Sequence, residues 1–444
     1  MLLAGGLALL LAPCSSVHVP DVAWRKAFDF APSESHPHAG VETHDGGFLM
    51  CGDGLDYTHA NPAIKRYVYM LKTDAHGNEE WRLTLGTVGW NYGKFCVQLD
   101  DRSFILSGAF TAVVDEAQVL HRGLVHVSAT GTLLQGPILL PVQTSGKQEG
   151  FTGIAVAEDG ALVATGFYNA WPGYPDQAMF LVYGETGLTK FVQDKENGQW
   201  NVAFDVLVNT TAHPDILGAA EGMRVLYDQK EQVYAVSHTV QMKDGLSGTF
   251  EFGMTTFTLD GKQKWTRAFP SKSGKWTGSI ASHPYALSFG KDGSYAIGGL
   301  AVNPPDTHGR LVSIATTGDL LFDQRFHGLP DYNVECYGVQ PTHDGGYILT
   351  CGYGVKTKNY PNETDVDLTW RALVHRTDSG GEQLWQAAYG NRSTHLSNAG
   401  EYIIATRDGG YAVYVDSKEW GNPALGGSFG LLRLMPDGSD TSAA

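Results

Sequence analysis

Short apolar runs, most of them entered through an Asp-Gly turn and closed by glycine, punctuate the chain from end to end. The clearest is Tyr347-Ile348-Leu349-Thr350-Cys351, which follows Thr342-His343-Asp344-Gly345-Gly346 and stops at Gly352. Nearly a whole chain length earlier, Phe48-Leu49-Met50-Cys51 follows Thr43-His44-Asp45-Gly46-Gly47 and stops at Gly52. Asp-Gly-Gly supplies the positive φ angles that a tight turn requires, so each copy reads as a hairpin running into a short strand. Degenerate copies stand at Asp101-Arg102-Ser103-Phe104, Asp159-Gly160-Ala161-Leu162, Asp292-Gly293-Ser294-Tyr295 and Asp408-Gly409-Gly410-Tyr411, and a poorly preserved seventh between Asp228 and Tyr234.

Successive turn aspartates are separated by roughly 50 to 70 residues, the period of a multi-stranded repeat. A second series runs out of phase with the first. Asp74 to Trp81, Asp260 to Trp265 and Asp378 to Trp385 each place Trp four residues after a turn glycine, with weaker copies marked by Gly131, Gly187, Gly318 and Gly438. Two hairpin turns per unit mean four strands per unit, the blade of a β-propeller. At the N-terminus Trp24-Arg25-Lys26-Ala27-Phe28 matches the Trp-bearing strands but has no hairpin before it, while the chain stops soon after Gly438, where such a strand is due. The pattern predicts an all-β, seven-bladed propeller of four-stranded antiparallel blades. Its ring is closed by the N-terminal strand joining the last blade, which removes open sheet edges.

On these motifs the chain resembles the secreted β-propellers of the Asp-Gly-Gly-Tyr/Phe repeat type, with a companion Asp-x-x-Gly-x-x-x-Trp element. The resemblance covers nearly the whole chain and implies architecture; it does not imply an activity, since such propellers bind, scaffold and catalyse. The Trp element is also similar to the docking motif of quinoprotein propellers. Those have eight stricter blades and a vicinal cysteine pair, so pyrroloquinoline quinone is not expected here.

Composition adds compartment and partners. With 444 residues, 42% hydrophobic, the chain is ample for a large core. A formal charge of −16 argues against nucleic acid and anionic membrane as partners. The apolar run from Leu2 to Ala12, too short to span a bilayer, reads as part of a signal peptide over residues 1–17, leaving residues 18–444 as a single propeller domain. No other stretch has transmembrane length. Sequons at Asn209, Asn362 and Asn391 fit a secreted, extracellular glycoprotein. Cys336 and Cys351 flank the Asp344 turn and suit a cross-strand disulfide, which leaves Cys51 to meet Cys96 in the neighbouring blade; the alternative is four buried thiols.

Function in such a disc is expected where the innermost strands meet at the channel mouth. Counting nine back from each turn aspartate gives His36, Tyr92, Gly150, Ala219, His283, Glu335 and Ala399; counting seven back gives His38, Lys94, Thr152, Glu221, Tyr285, Tyr337 and Glu401. Residues two apart on a strand share a face, so both sets are expected in one cavity. His36, His38, Tyr92, Lys94, Glu221, His283, Tyr285, Glu335, Tyr337 and Glu401 are the candidate ligand-binding residues. Three readings compete: recognition of an extracellular glycan or protein, a polysaccharide lyase or hydrolase, and a structural part of an extracellular assembly. In a lyase, His38, His283, Tyr285 or Tyr337 is the catalytic candidate that removes a proton α to a uronate carboxylate, while Lys94 or Arg224 neutralises that carboxylate. His36, His283 and Glu335 are weak metal candidates on one ring but in blades that are not all adjacent.

Other stretches carry blander expectations. Asp100-Asp101 and Asp365-Val366-Asp367 are weak candidates for a structural calcium ion. Gly426-Gly427-Ser428-Phe429-Gly430 matches a nucleophile elbow, yet leads into a strand. The stretch from Gln193 to Leu217, with Trp200, is expected to loop over one face of the disc, and the loop from Ala170 to Pro175 to present aromatic surface.

Overall fold

The computed structural model describes residues 17–30, 34–55, 61, 63–170, 184–243, 250–271, 282–303, 306–326, 333–356, 368–391 and 396–438. Seven four-stranded antiparallel sheets form a closed ring, a seven-bladed β-propeller. The first strand of each blade is innermost: β2 (His36–Glu42), β6 (Asn91–Gln98), β10 (Gln148–Val156), β14 (Ile216–Asp228), β18 (Ser282–Phe289), β22 (Asn333–Pro341) and β26 (Asn398–Ala405). Each packs on the first strands of both neighbouring blades. Every turn aspartate named in the sequence lies at the hairpin between the first and second strands of its blade.

The N-terminal strand β1 (Val22–Phe28) pairs antiparallel with β28 (Ser428–Leu434), so the last blade is made from both ends of the chain. Phe30, just beyond β1, stacks on Tyr69 of the first blade with ring centroids 4.2 Å apart and meets Phe429 edge-on at 5.0 Å. Closure is thus sealed by aromatic packing as well as by backbone hydrogen bonds.

The turn chemistry is that of the motif. Asp45 Oδ1 accepts from Thr43 Oγ1 at 2.5 Å and Gly47 N at 3.1 Å, and Gly46 sits at φ 84°. A cation from the third strand of the blade then grips the same aspartate: Lys72 on Asp45, Lys190 on Asp159, Arg376 on Asp344 and Arg433 on Asp408. These contacts hold the Asp45 carboxyl down at about 2, with hydrogen bonds and Lys72 outweighing its partial burial.

Three local expectations are corrected. Gly187 lies inside a strand (Glu185–Gln193), and the turn glycine of that blade is Gly198, at φ 73°. The stretch from Gln193 to Leu217 is not a single loop: a turn leads to an outer strand, Trp200–Leu207, with Trp200 buried edge-on against His126, and a connecting segment over 208–215 then leads into β14. Cys336 and Cys351 are joined by a disulfide, but Cys51 and Cys96 are buried thiols in side-chain contact and not a second bridge. The proposed signal peptide apart from Val17, the Asn362 sequon, Asp365 and Asp367, and the loop beyond Ala170 lie outside the described residues. Asn209 and Asn391 are both exposed. No helix among the described residues is long and apolar enough to cross a membrane.

Candidate functional site

Each inner strand contains a β-bulge, and the bulges are in register around the ring. Pairing in the first blade runs His36↔Asp53, Pro37↔Gly52, then Ala39↔Cys51, so His38 has no partner opposite it. The same skip falls at Lys94, Thr152, Met223, Tyr285, Tyr337 and Glu401. A bulged residue leaves the ladder and re-aims its side chain. All seven point to one cavity between the inner strands, with about 90 Å³ of room for water-sized molecules, enough for several.

The bulge also explains the glycine that closes the apolar run in four of the blades, Gly52, Gly108, Gly166 and Gly299. A Cβ on Gly52 would lie 1.9 Å from His36 O, and one on Gly108 would lie 1.9 Å from Tyr92 O. The second strand needs a bare backbone here because the inner strand kinks toward it.

Of the ten candidate residues, His38, Tyr92, Lys94, Glu221, Tyr285, Tyr337 and Glu401 line the cavity, and Ala109, Phe167, Met223 and Arg224 complete its wall with Thr152. His36, His283 and Glu335 do not. The seven-back residues all line the cavity, but the expectation that the nine-back residues share it fails, because the bulge interrupts strict alternation and only Tyr92 of that set joins them. In the fourth blade the count itself slips by two. Asp228 occupies the register position of Thr43, since the turn that follows it is one residue longer, so the partner of His38 is Met223 and that of His36 is Glu221.

Two clusters form the polar walls. In the first, Asp53 is fully buried and gathers Arg66 (Nε to Oδ1 2.5 Å), His38 (Nε2 to Oδ2 3.2 Å) and Lys94 (Nζ to Oδ2 3.6 Å). Burial and the Lys94 ammonium lower His38 to about 4, so its imidazole is neutral. Arg66 and Lys94 hold Asp53 well below the usual carboxylate range against its burial. Burial pulls Lys94 below the ordinary lysine value. The Tyr92 ring lies beneath both cations, 5.3 Å from each.

In the second cluster, Tyr285 lies against Tyr337 with centroids 4.5 Å apart, and Tyr337 Oη donates to Glu335 Oε2 at 2.5 Å. Burial, then the Glu335 carboxylate, pushes both tyrosines well above their ordinary value. His283 sits behind Tyr285, 4.6 Å between rings, and its Nε2 is 3.6 Å from Glu221 Oε2. Glu401 closes the ring; burial, then nearby Asp416, pushes its carboxyl up to about 8. The His36 imidazole, outside the cavity, bonds Asp416 at 2.7 Å and Glu34 at 3.1 Å, and despite its burial these carboxylates raise it to about 10.

His36, His283 and Glu335 therefore have separate partners and do not converge, and among the described residues no three His, Cys, Asp or Glu side chains gather as a metal site. Asp101 accepts from Ser103 N and Oγ as a turn cap. Ser428 of the elbow-like stretch donates to Asp29 and enters a strand. Sequence reasoning missed Asp53, Asp416, Ala109 and Phe167. The available signal was the residue opposite the nine-back position: Asp53, Ala109, Phe167 and Asp416 pair with His36, Tyr92, Gly150 and Ala399.

No protein-family model and no curated protein matches this chain. Solved structures do. An ulvan lyase of a polysaccharide lyase family is similar with TM-score 0.52 at 10% identity, covering 95% of this chain and 96% of that one. The same lyase bound to a GlcA(1-4)Rha3S saccharide is similar with TM-score 0.51 at 9% identity, over 95% and 96% of the two chains. A virginiamycin B lyase from Staphylococcus aureus aligns with TM-score 0.49 at 10% identity, over 93% of this chain and 99% of that one. At these identities the likeness to the ulvan lyase is one of fold, and it places this chain among seven-bladed propellers.

Proposed function

We propose that this chain is an extracellular propeller that recognises a glycan at the mouth of its central channel. The observation that carries the reading is the ring of seven bulges, which delivers an aromatic face, hydroxyl donors, a neutral imidazole and a cation into one cavity. Tyr285 and Tyr337 supply the flat faces and hydroxyls on which sugar rings stack and hydrogen-bond. Met223 packs in one cluster with Tyr285 and Tyr337, and Phe167 adds further apolar lining. Burial and Glu335 raise the tyrosines instead of lowering them, which suits phenols that donate hydrogen bonds and opposes phenolates that abstract protons. The solved ulvan lyase complex supports this reading to the extent that a propeller of similar fold holds a saccharide.

A second reading, a polysaccharide lyase, is favoured by one feature. His38 is neutral and Lys94 is shifted downward, both at the cavity wall, so a proton acceptor stands beside a group able to neutralise a uronate. Incubating the purified protein with an array of neutral and acidic polysaccharides separates the two. Retention without new ultraviolet-absorbing unsaturated product supports recognition; product that disappears in His38→Gln establishes the lyase. Neither retention nor product overturns both and leaves a scaffold role.

A further inference from the structure

Most buried arginines in this ring are matched to a carboxylate. Arg66 has Asp53, Arg122 has Glu149 and Asp205, Arg310 has Asp323, Arg376 has Asp437 and Arg433 has Asp408. Arg224, half-buried on the cavity wall, is not matched in this way. Its Nη1 donates to the backbone oxygens of Thr152 at 2.7 Å and Met223 at 2.9 Å, and its guanidinium lies 4.9 Å over the Phe95 ring. Its Nε is buried with no hydrogen-bond partner, and no carboxylate among the described residues lies within 4 Å. An arginine held in place by backbone carbonyls and an aromatic ring, with no carboxylate in contact with its guanidinium, is arranged for an anion brought from outside.

The carboxylates of the same cavity do not fill that role. Glu221 faces His283, and Glu401, pushed up to about 8, is largely protonated at neutral pH. Lys94 adds a second cation to the lining. Burial lowers Arg224 itself, and the more distant Glu221 and Glu401 carboxyls offset that only in part.

We infer that the cavity holds an anion subsite at Arg224, with Lys94 in support, so that the recognised sugar carries an acidic group, a carboxylate or a sulfate ester. This rests on the glycan reading above and names the ligand class. Neutral parts of the sugar meet Tyr285, Tyr337 and Phe167, while the acid group meets the guanidinium.

Calorimetric titration of the full chain with glucuronic acid, glucose 6-sulfate and glucose tests it. Glucuronic acid or glucose 6-sulfate is expected to bind at least about tenfold tighter than glucose, the ratio between the two acids identifying the preferred group. Arg224→Gln is expected to remove about tenfold of that affinity, more than it removes from glucose, with Arg224→Lys intermediate. Thermal melts of both variants confirm folding, and the wild-type comparison stands even if a variant does not fold. Equal affinity for glucose and both acids, or an unchanged Arg224→Gln, overturns the anion subsite alone. Binding of none of the three overturns the glycan reading with it.

Discussion

Lys94 Nζ and His38 Nε2 lie 3.4 Å apart, and both face the same oxygen of Asp53 from different blades. One buried carboxylate thereby orients a cation and a neutral imidazole at the cavity wall. Removing its charge leaves Arg66 and Lys94 buried without compensation. Asp53→Asn is expected to destabilise the fold by about 3 kcal/mol or more, whereas His38→Gln costs much less. Equilibrium urea unfolding of the two variants checks this, and equal costs would mean that Asp53 does not organise the cluster.

The bulge register makes Gly108 a steric requirement. A methyl group there meets the Tyr92 carbonyl, which is backbone and cannot rotate aside. Gly108→Ala is expected to cost about 1–3 kcal/mol and to displace Lys94. Gly218→Ala, where nothing lies within 4 Å of the added Cβ, is the control, expected within about 0.5 kcal/mol of wild type. Denaturation midpoints of the pair decide the matter.

Glu401 couples stability to pH. Asp416, His36, Lys94, Glu335, Arg224, Tyr285 and Tyr337 all act on or feel its charge. Its carboxyl binds a proton more tightly folded, at about 8, than unfolded, near the ordinary 4.5. The folded state therefore holds the extra proton between those values, and its contribution to stability falls as pH rises from 4.5 to about 8 before levelling. Glu401→Gln is expected to flatten that slope and to raise the melting temperature above pH 8. Parallel melting curves for wild type and variant from pH 5 to 9 would contradict the assignment.

The cysteines differ in accessibility and bonding. Without reductant, Cys51 and Cys96 are expected to resist iodoacetamide in the native protein and to react once it is denatured, because burial raises the Cys51 thiol well above its usual value. Cys336 and Cys351 are expected to react only after reduction. Peptide mass spectrometry reads all four.

The blade count and the closure of the ring were legible in the chain because both rest on local rules. Asp-Gly-Gly turns demand positive φ wherever they occur, and a Trp-bearing strand without a hairpin has to find its sheet elsewhere; β1 does so on β28. The layer of seven residues that meets in the cavity was legible for the same reason, since six of the seven stand a fixed distance before a turn aspartate. Met223 escaped because Asp228 caps its turn two positions early, a shift visible only in the strand pairing.

Tertiary structure alone decided the rest. The roles of Asp53, Phe167 and Arg224 depend on which side chains neighbouring blades bring against them. That His38 is neutral, Glu401 protonated and Arg224 lowered follows from burial and from charges on other strands, often hundreds of residues away in sequence. Desolvation and Coulomb interaction act through space, and spatial neighbours in a closed ring are set only when all seven blades have assembled.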